Sequence, residues 1–269
     1  MGNKLTALVN PRKYGKSPFS IVVIHGDPGA PGEMAPVARE LSENYGVLEP
    51  LQTYTSLGGQ VQELKEILEK NAQPPLVMIG HSWGAYLSFI FTAHYPTFVK
   101  KLILVGSGPF EAKYAKGIMD TRLSRLSEKE RTEIQSILIN LKDPSVKNKN
   151  ILFKRLGILL AKADHYDVIV SKNEALECNN EIFQRVWAGA EKLRSEGKLL
   201  AFGRKIICPV TAIHGDYDPH PSEGVRKPLS SILPDFKFIL LENCGHDPWI
   251  ERKAKDRFYT ILRKEINSE

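Results

Sequence analysis

The chain has 269 residues, 42% of them hydrophobic, enough for one domain with a sizeable core or for one domain carrying an insertion. Its formal charge is +6, but lysines and arginines are scattered among acids without an aromatic-interleaved basic motif, so nucleic acid is not an expected partner. No apolar run is long enough to span a bilayer, Met1 to Leu5 lacks a signal-peptide stretch, and Cys178, Cys208 and Cys244 are too widely spaced for a disulfide framework. The expectation is a cytoplasmic protein with no membrane partner.

In chain order, residues 4–9 alternate weakly and predict an edge strand, and residues 10–18 predict a loop. Phe19 to Ile24 is an apolar, β-branched run, a strand, that enters the breaker-rich loop His25-Gly26-Asp27-Pro28-Gly29. Residues 33–44 read as a helix with Met34, Val37, Ala38 and Leu41 on one face; residues 47–51 read as a strand and 56–70 as an amphipathic helix. Leu76 to Ile79 is a short buried strand, followed by Gly80-His81-Ser82-Trp83-Gly84 and by a helical stretch that stops at Pro96. Another strand, Lys101 to Val105, ends at Gly106.

Strand–helix alternation predicts an α/β fold with a doubly wound, mostly parallel sheet. Between residues 110 and 203 the rhythm stops. Ser127 and Glu130 fit a capping box, and further helices are expected over 151–161 and within 173–195. This stretch reads as an inserted helical lid, with residues 1–109 and 204–269 forming the core. Strands return at Val210 to His214, before Gly215-Asp216-Tyr217-Asp218, and at Phe236 to Leu241, before Asn243-Cys244-Gly245-His246. Residues 222–233 predict a helix interrupted at Pro228, and 249–266 a closing amphipathic helix.

Gly-x-Ser-x-Gly between a strand and a helix is the context of a nucleophile elbow: a strained turn that lifts the Ser82 hydroxyl clear, with glycines where side chains would collide. A serine hydroxyl needs a base, and the base an orienting acid. His246 follows the last strand, and Asp216 and Asp218 follow the one before it. The order Ser, acid, His suits a doubly wound sheet. His81 reads as packing, His25 as a brace for its own loop, and His94, His165, His214 and His220 carry no motif. Trp83 reads equally as a pocket wall or as a core aromatic.

With His-Gly-x-Pro-Gly at 25–29, Gly-x-Ser-x-Gly at 80–84, Gly-x-x-Asp at 215–218 and Gly-His at 245–246, the chain resembles the α/β-hydrolase superfamily over nearly all of its length outside the lid. Within it, the first motif together with Trp83 looks like proline iminopeptidases, which usually carry a glycine at the position of Asp27. The resemblance implies Ser82 as nucleophile, His246 as base and Asp218, three residues after the glycine, as the acid in preference to Asp216. It implies an oxyanion hole from the backbone N–H groups of Asp27 and Trp83. The Asp27 carboxylate is expected to accept N–H bonds from the Gly29–Ala30 turn; the alternative is that it faces the pocket and attracts a cationic substrate. Glu174, Glu177 and Glu181 share a helix face and could hold a substrate ammonium, the simpler reading being a solvated charged face.

The expectation is a serine hydrolase acting on a small-molecule ester or amide through an acyl-enzyme, with no metal or organic cofactor implied. A proline iminopeptidase-like aminopeptidase is the alternative, and a non-catalytic small-ligand-binding homologue is the alternative of another class.

Overall fold

The computed structural model describes residues 9–169 and 178–268. Seven strands form one sheet: β1 (Arg12–Tyr14), β2 (Phe19–Ile24), β3 (Gly46–Glu49), β4 (Leu76–His81), β5 (Val99–Val105), β6 (Val210–Gly215) and β7 (Phe236–Leu241). Their spatial order is β1-β3-β2-β4-β5-β6-β7, and every pair except β1·β3 is parallel. The α/β fold with a mostly parallel, doubly wound sheet is therefore as expected. The order of the parallel strands reverses between β2 and β4, so the loops after these two strands diverge and leave a crevice at the sheet's carboxyl edge.

Side-chain alternation along each strand builds two cores. Val22, Ile24, Met78, Leu102, Leu104 and Ala212 face α2 (Leu57–Asn71), α3 (Trp83–His94) and α9 (Glu223–Ile232). Ile21, Val23, Ile79, Ile103, Val105 and Ile213 face α1 (Ala35–Leu41) and α10 (Lys255–Asn267). Helix α3 is sandwiched so completely that Trp83 through Ala93 are all buried. Phe89 and Phe91 in this helix are fully sealed; such side chains each stabilise the fold by about 1.5–3 kcal/mol through apolar burial.

Between β5 and β6 lie α4 (Ile118–Ser124), α5 (Glu128–Lys142), α6 (Lys149–Asp164), α7 (Asn180–Ser195) and α8 (Lys198–Ala201). Helices α5 and α6 close a small core of their own around Ile134, Ile137, Phe153 and Leu156. The capping box forms as expected: Glu130 accepts from the Ser127 N–H at 2.9 Å while Ser127 Oγ accepts from the Glu130 N–H.

Three expectations need correction or lie beyond the described residues. Arg12–Tyr14, read as loop, is an antiparallel edge strand on β3; the run is too short and polar to show a period. Helix α9 passes through Pro228 without a break. Proline removes one N–H, but the Gly224 carbonyl left without its helical donor accepts the Phe110 N–H at 3.0 Å instead. The edge strand expected over 4–9 falls almost wholly outside the described residues.

Candidate active site

Four loops at the carboxyl edge carry the residues singled out from the sequence. Ser82 sits between β4 and α3 with φ of 50° and ψ of −112°, a conformation that non-glycine residues rarely adopt. A Cβ at Gly80 would strike the Gly84 carbonyl, and one at Gly84 would strike the carbonyls of Ile24 and His25. The tight turn therefore needs glycine at both positions, and the Ser82 N–H is tied to the Val105 carbonyl at 2.9 Å. The Trp83 side chain points down, buried, with its Nε1–H on Gln60 Oε1 at 3.1 Å. Of its two readings, the core aromatic is the observed one.

His246 and Asp218 meet. His246 Nδ1 lies 2.7 Å from Asp218 Oδ2, and both residues are buried. The approach is steric as well as polar. A Cβ at Gly215 would collide with the carbonyls of Cys244 and Gly245, so only glycine lets the β6 end lie against the loop carrying His246. Asp216 clamps the same contact by accepting the Cys244 N–H at 3.1 Å, the turn role read for it. No hydrogen bond joins Ser82 Oγ to His246 among the described residues; such bonds commonly tighten when substrate binds.

Burial alone would raise the Asp218 pKa, but the surrounding His246, His220 and His214 outweigh it and hold the carboxyl well below its usual range. Asp218 is therefore an acceptor-only carboxylate, which fixes the His246 proton on Nδ1 and leaves Nε2 free to take another. Burial opposes charge on His246, yet the Asp218 charge and hydrogen bond raise its pKa above the usual value. An imidazole paired in this way holds a proton more tightly than a free one.

His220 was not singled out. Its Nδ1 is 2.7 Å from Asp218 Oδ1, and its backbone N–H donates to the same oxygen at 2.9 Å. His214 Nε2 donates to the His220 carbonyl at 2.8 Å and stands 3.6 Å from Asp218 Oδ2. The missed signal was the Asp-x-His spacing, because an aspartate side chain readily bonds the N–H two residues on.

His81, read as packing, is instead the hub of a buried ion network. Its Nδ1 meets Glu33 Oε1 at 2.6 Å and its Nε2 meets Asp247 Oδ1 at 3.0 Å. Glu33 Oε1 also accepts the Gly26 N–H at 2.5 Å, and Asp247 Oδ2 binds His165 Nε2 at 2.7 Å. Burial pulls the His81 pKa down, but the Glu33 charge and the two carboxylate bonds lift it to about 10, so His81 is an imidazolium. It ties the elbow to the 25–29 loop on one side and to the His246 loop on the other. His25 braces its own loop as read, with Nδ1 3.2 Å from the Gly26 carbonyl, and also accepts the Gln52 N–H at 3.3 Å.

The Asp27 and Trp83 N–H groups have no acceptor among the described residues. The Ala30 N–H, expected on the Asp27 side chain, bonds its main-chain carbonyl at 3.0 Å. Asp27 Oδ1 is sealed without a partner. Burial and then the Glu33 charge push the Asp27 pKa up to about 7, against the Gly29 N–H and the Arg122 charge. Arg122 is itself held by Asp164 through two bonds of 2.7 Å. Glu181 is exposed and pairs with Arg185 at 3.1 Å, a solvated helix face; Glu174 and Glu177 lie outside the described residues.

Among the described residues, two groups bring possible metal-ligand atoms within 4.8 Å of one another: His81, His246 and Asp247, and Asp218, His220 and His246. Within the second group, the histidine–carboxylate hydrogen bonds described above account for the arrangement. Among the described residues no helix is long and apolar enough to cross a membrane.

The α/β hydrolase fold family matches this chain over residues 9–253. Proline iminopeptidase of Lactobacillus crispatus (strain ST1) is 25% identical over 281 residues, covering 94% of this chain and 91% of its own length. Monoacylglycerol lipase abhd6-B of Xenopus laevis is 23% identical over 225 residues, or 81% of this chain, and the chain spans 64% of that lipase's length. Among solved structures, VinJ matches with a TM-score of 0.69 at 16% identity, covering 95% of this chain and 93% of its own. Proline iminopeptidase of Mycobacterium smegmatis matches with a TM-score of 0.62 at 15% identity and the same coverage, 95% and 93%. At such identities these structural likenesses speak to the fold alone.

Proposed function

The chain belongs to the α/β hydrolase fold family, and on that premise we propose that it is a serine hydrolase cleaving a small ester or amide through an acyl-enzyme intermediate. The observation that carries this reading is the 2.7 Å bond between His246 Nδ1 and an ionised, buried Asp218, at the same sheet edge as a strained Ser82 whose hydroxyl has no hydrogen-bond partner among the described residues.

In this reading Ser82 Oγ attacks the substrate carbonyl while His246 Nε2 takes its proton. Asp218 keeps the imidazole in the Nδ1–H tautomer and stabilises the imidazolium that forms. The tetrahedral oxyanion accepts from the unpaired N–H groups of Trp83 and Asp27. His246 then gives its proton to the leaving group, and water releases the acyl group by the same steps in reverse roles. The imidazolium of His81 draws the 25–29 loop and the elbow together through Glu33, which supports the alignment of the two oxyanion donors. Helices α4–α8 act as the lid of this site.

An aminopeptidase of the proline iminopeptidase kind is the second reading, supported by likeness to the Lactobacillus enzyme over 94% of the chain. A panel of p-nitrophenyl esters of graded chain length and aminoacyl 4-nitroanilides tests both. The first reading expects ester turnover that Ser82→Ala abolishes. The second expects Pro-4-nitroanilide to be cleaved and its N-acetyl form to resist. No turnover of any member by folded protein would favour a non-catalytic ligand-binding homologue.

A further inference from the structure

Asp218 holds two imidazoles, one on each oxygen. His246 takes Oδ2 and His220 takes Oδ1, and their ring centroids are 4.8 Å apart with planes 33° from parallel. The orientation of His220 is over-determined. Its ring Nδ1 and backbone N–H both converge on one carboxylate oxygen, while its carbonyl is pinned by His214. Flipping the ring would face a carbon to Asp218 Oδ1 and lose a charge-assisted hydrogen bond.

This arrangement dictates what the other nitrogen can do. The carboxylate demands that Nδ1 carry the proton. Burial, opposed by Asp218 and helped by the charges of His246 and Arg122, lowers the His220 pKa to about 4, so the ring is neutral. Nε2 is therefore a lone-pair acceptor, and among the described residues it has no hydrogen-bond partner. Its nearest functional neighbour is His246, whose Nε2 must hand a proton to the leaving atom of the substrate. Both rings turn Nδ1 to Asp218, so both Nε2 atoms point away from that carboxylate, and with the centroids 4.8 Å apart a leaving group in contact with His246 Nε2 is next to the His220 ring.

We propose that His220 Nε2 accepts a hydrogen bond from a donor on the leaving group, a hydroxyl or an ammonium, and so selects substrates that carry one. This rests on the serine hydrolase reading. A leaving group that is purely alkyl would strip water from Nε2 and offer nothing in return, and sites built to hydrogen-bond a substrate group reject analogues lacking it.

The test compares isosteric butyrate esters. Propyl butyrate is set against 2-hydroxyethyl butyrate, and 3-methylbutyl butyrate against its protonated 2-(dimethylamino)ethyl counterpart. In wild-type protein at least one donor-bearing ester should exceed its alkyl isostere in kcat/KM by about tenfold or more, beyond the ratio seen in hydroxide hydrolysis. Which pair shows it decides between hydroxyl and ammonium. His220→Phe should erase that preference, because the ring remains but the acceptor is gone. A purely structural role would lower both members of a pair equally, and an unchanged ratio would overturn the proposal. Should the variant fail to fold, wild-type protein that hydrolyses both members of each pair at the hydroxide ratio would overturn it too. If wild-type protein hydrolyses none of the four and Ser82 resists a fluorophosphonate, the hydrolase reading fails and takes this inference with it.

Discussion

His81 and His220 flank the same imidazole at the same distance, each ring centroid 4.8 Å from that of His246, and both are nearly sealed from water. Their surroundings differ in one respect. Below the elbow, His81 has a carboxylate on each nitrogen, Glu33 and Asp247, and stays charged up to about pH 10. Beside Asp218, His220 shares a single carboxylate with His246 and stays neutral down to about pH 4. Equal burial thus yields opposite protonation states, decided by how many anions each ring meets. The floor of the site is a closed ion network with every hub nitrogen committed. The wall keeps one acceptor open.

The largest expected effect comes from removing the anion that organises the wall. Asp218→Asn should cost roughly 10⁴-fold in kcat, because His246 loses both its tautomer and its counter-charge. Asp216→Asn should cost far less, since among the described residues the Asp216 side chain bonds only the Cys244 N–H of the His246 loop. The reverse ranking in two folded variants would exchange their roles.

Breaking the floor should show in stability. His81→Gln leaves Glu33 and Asp247 without their shared cation. Removing one partner of a fully buried pair costs about 3–5 kcal/mol; because the Glu33 and Asp247 side chains are 25% and 21% exposed, about 2–3 kcal/mol is expected in urea denaturation. No loss would mean the network contributes nothing to folding.

The two histidines should also sign the pH dependence of stability in opposite directions. The folded pKa of His81 lies above its ordinary 6.5, so its contribution is complete below 6.5 and is lost as pH rises toward about 10. The folded pKa of His220 lies below 6.5, so its contribution is complete above 6.5 and is lost as pH falls toward about 4. His81→Gln should flatten the alkaline limb of a stability–pH profile, whereas His220→Phe should leave that limb in place and flatten the acid one. Identical profiles for the two variants would erase the distinction between floor and wall.

The same contrast explains what was legible from sequence. Strand, turn and helix around Ser82 are local, and steric demand on Gly80 and Gly84 writes itself into five consecutive residues. The Asp218–His246 pair could be expected because each residue follows its own strand at the same sheet edge. The ion network could not, because His81 finds its partners 48 residues upstream at Glu33 and far downstream at Asp247, and pairing between distant loops leaves no period. His220 lay between: its bond spans two residues, yet nothing in the spacing says that Asp218 would serve two rings. The helix over 222–233 is legible but its continuity through Pro228 is not, for a related reason: the compensating donor, Phe110, comes from another part of the chain.

The central claim is that Ser82 is an activated nucleophile. Intact-mass spectrometry after exposure to a fluorophosphonate tests it directly. The account predicts a single adduct, mapped to Ser82, that disappears in Ser82→Ala and in His246→Ala. Folded wild-type protein that stays unmodified where a known serine hydrolase reacts fully, or an adduct mapped to another residue, would contradict it.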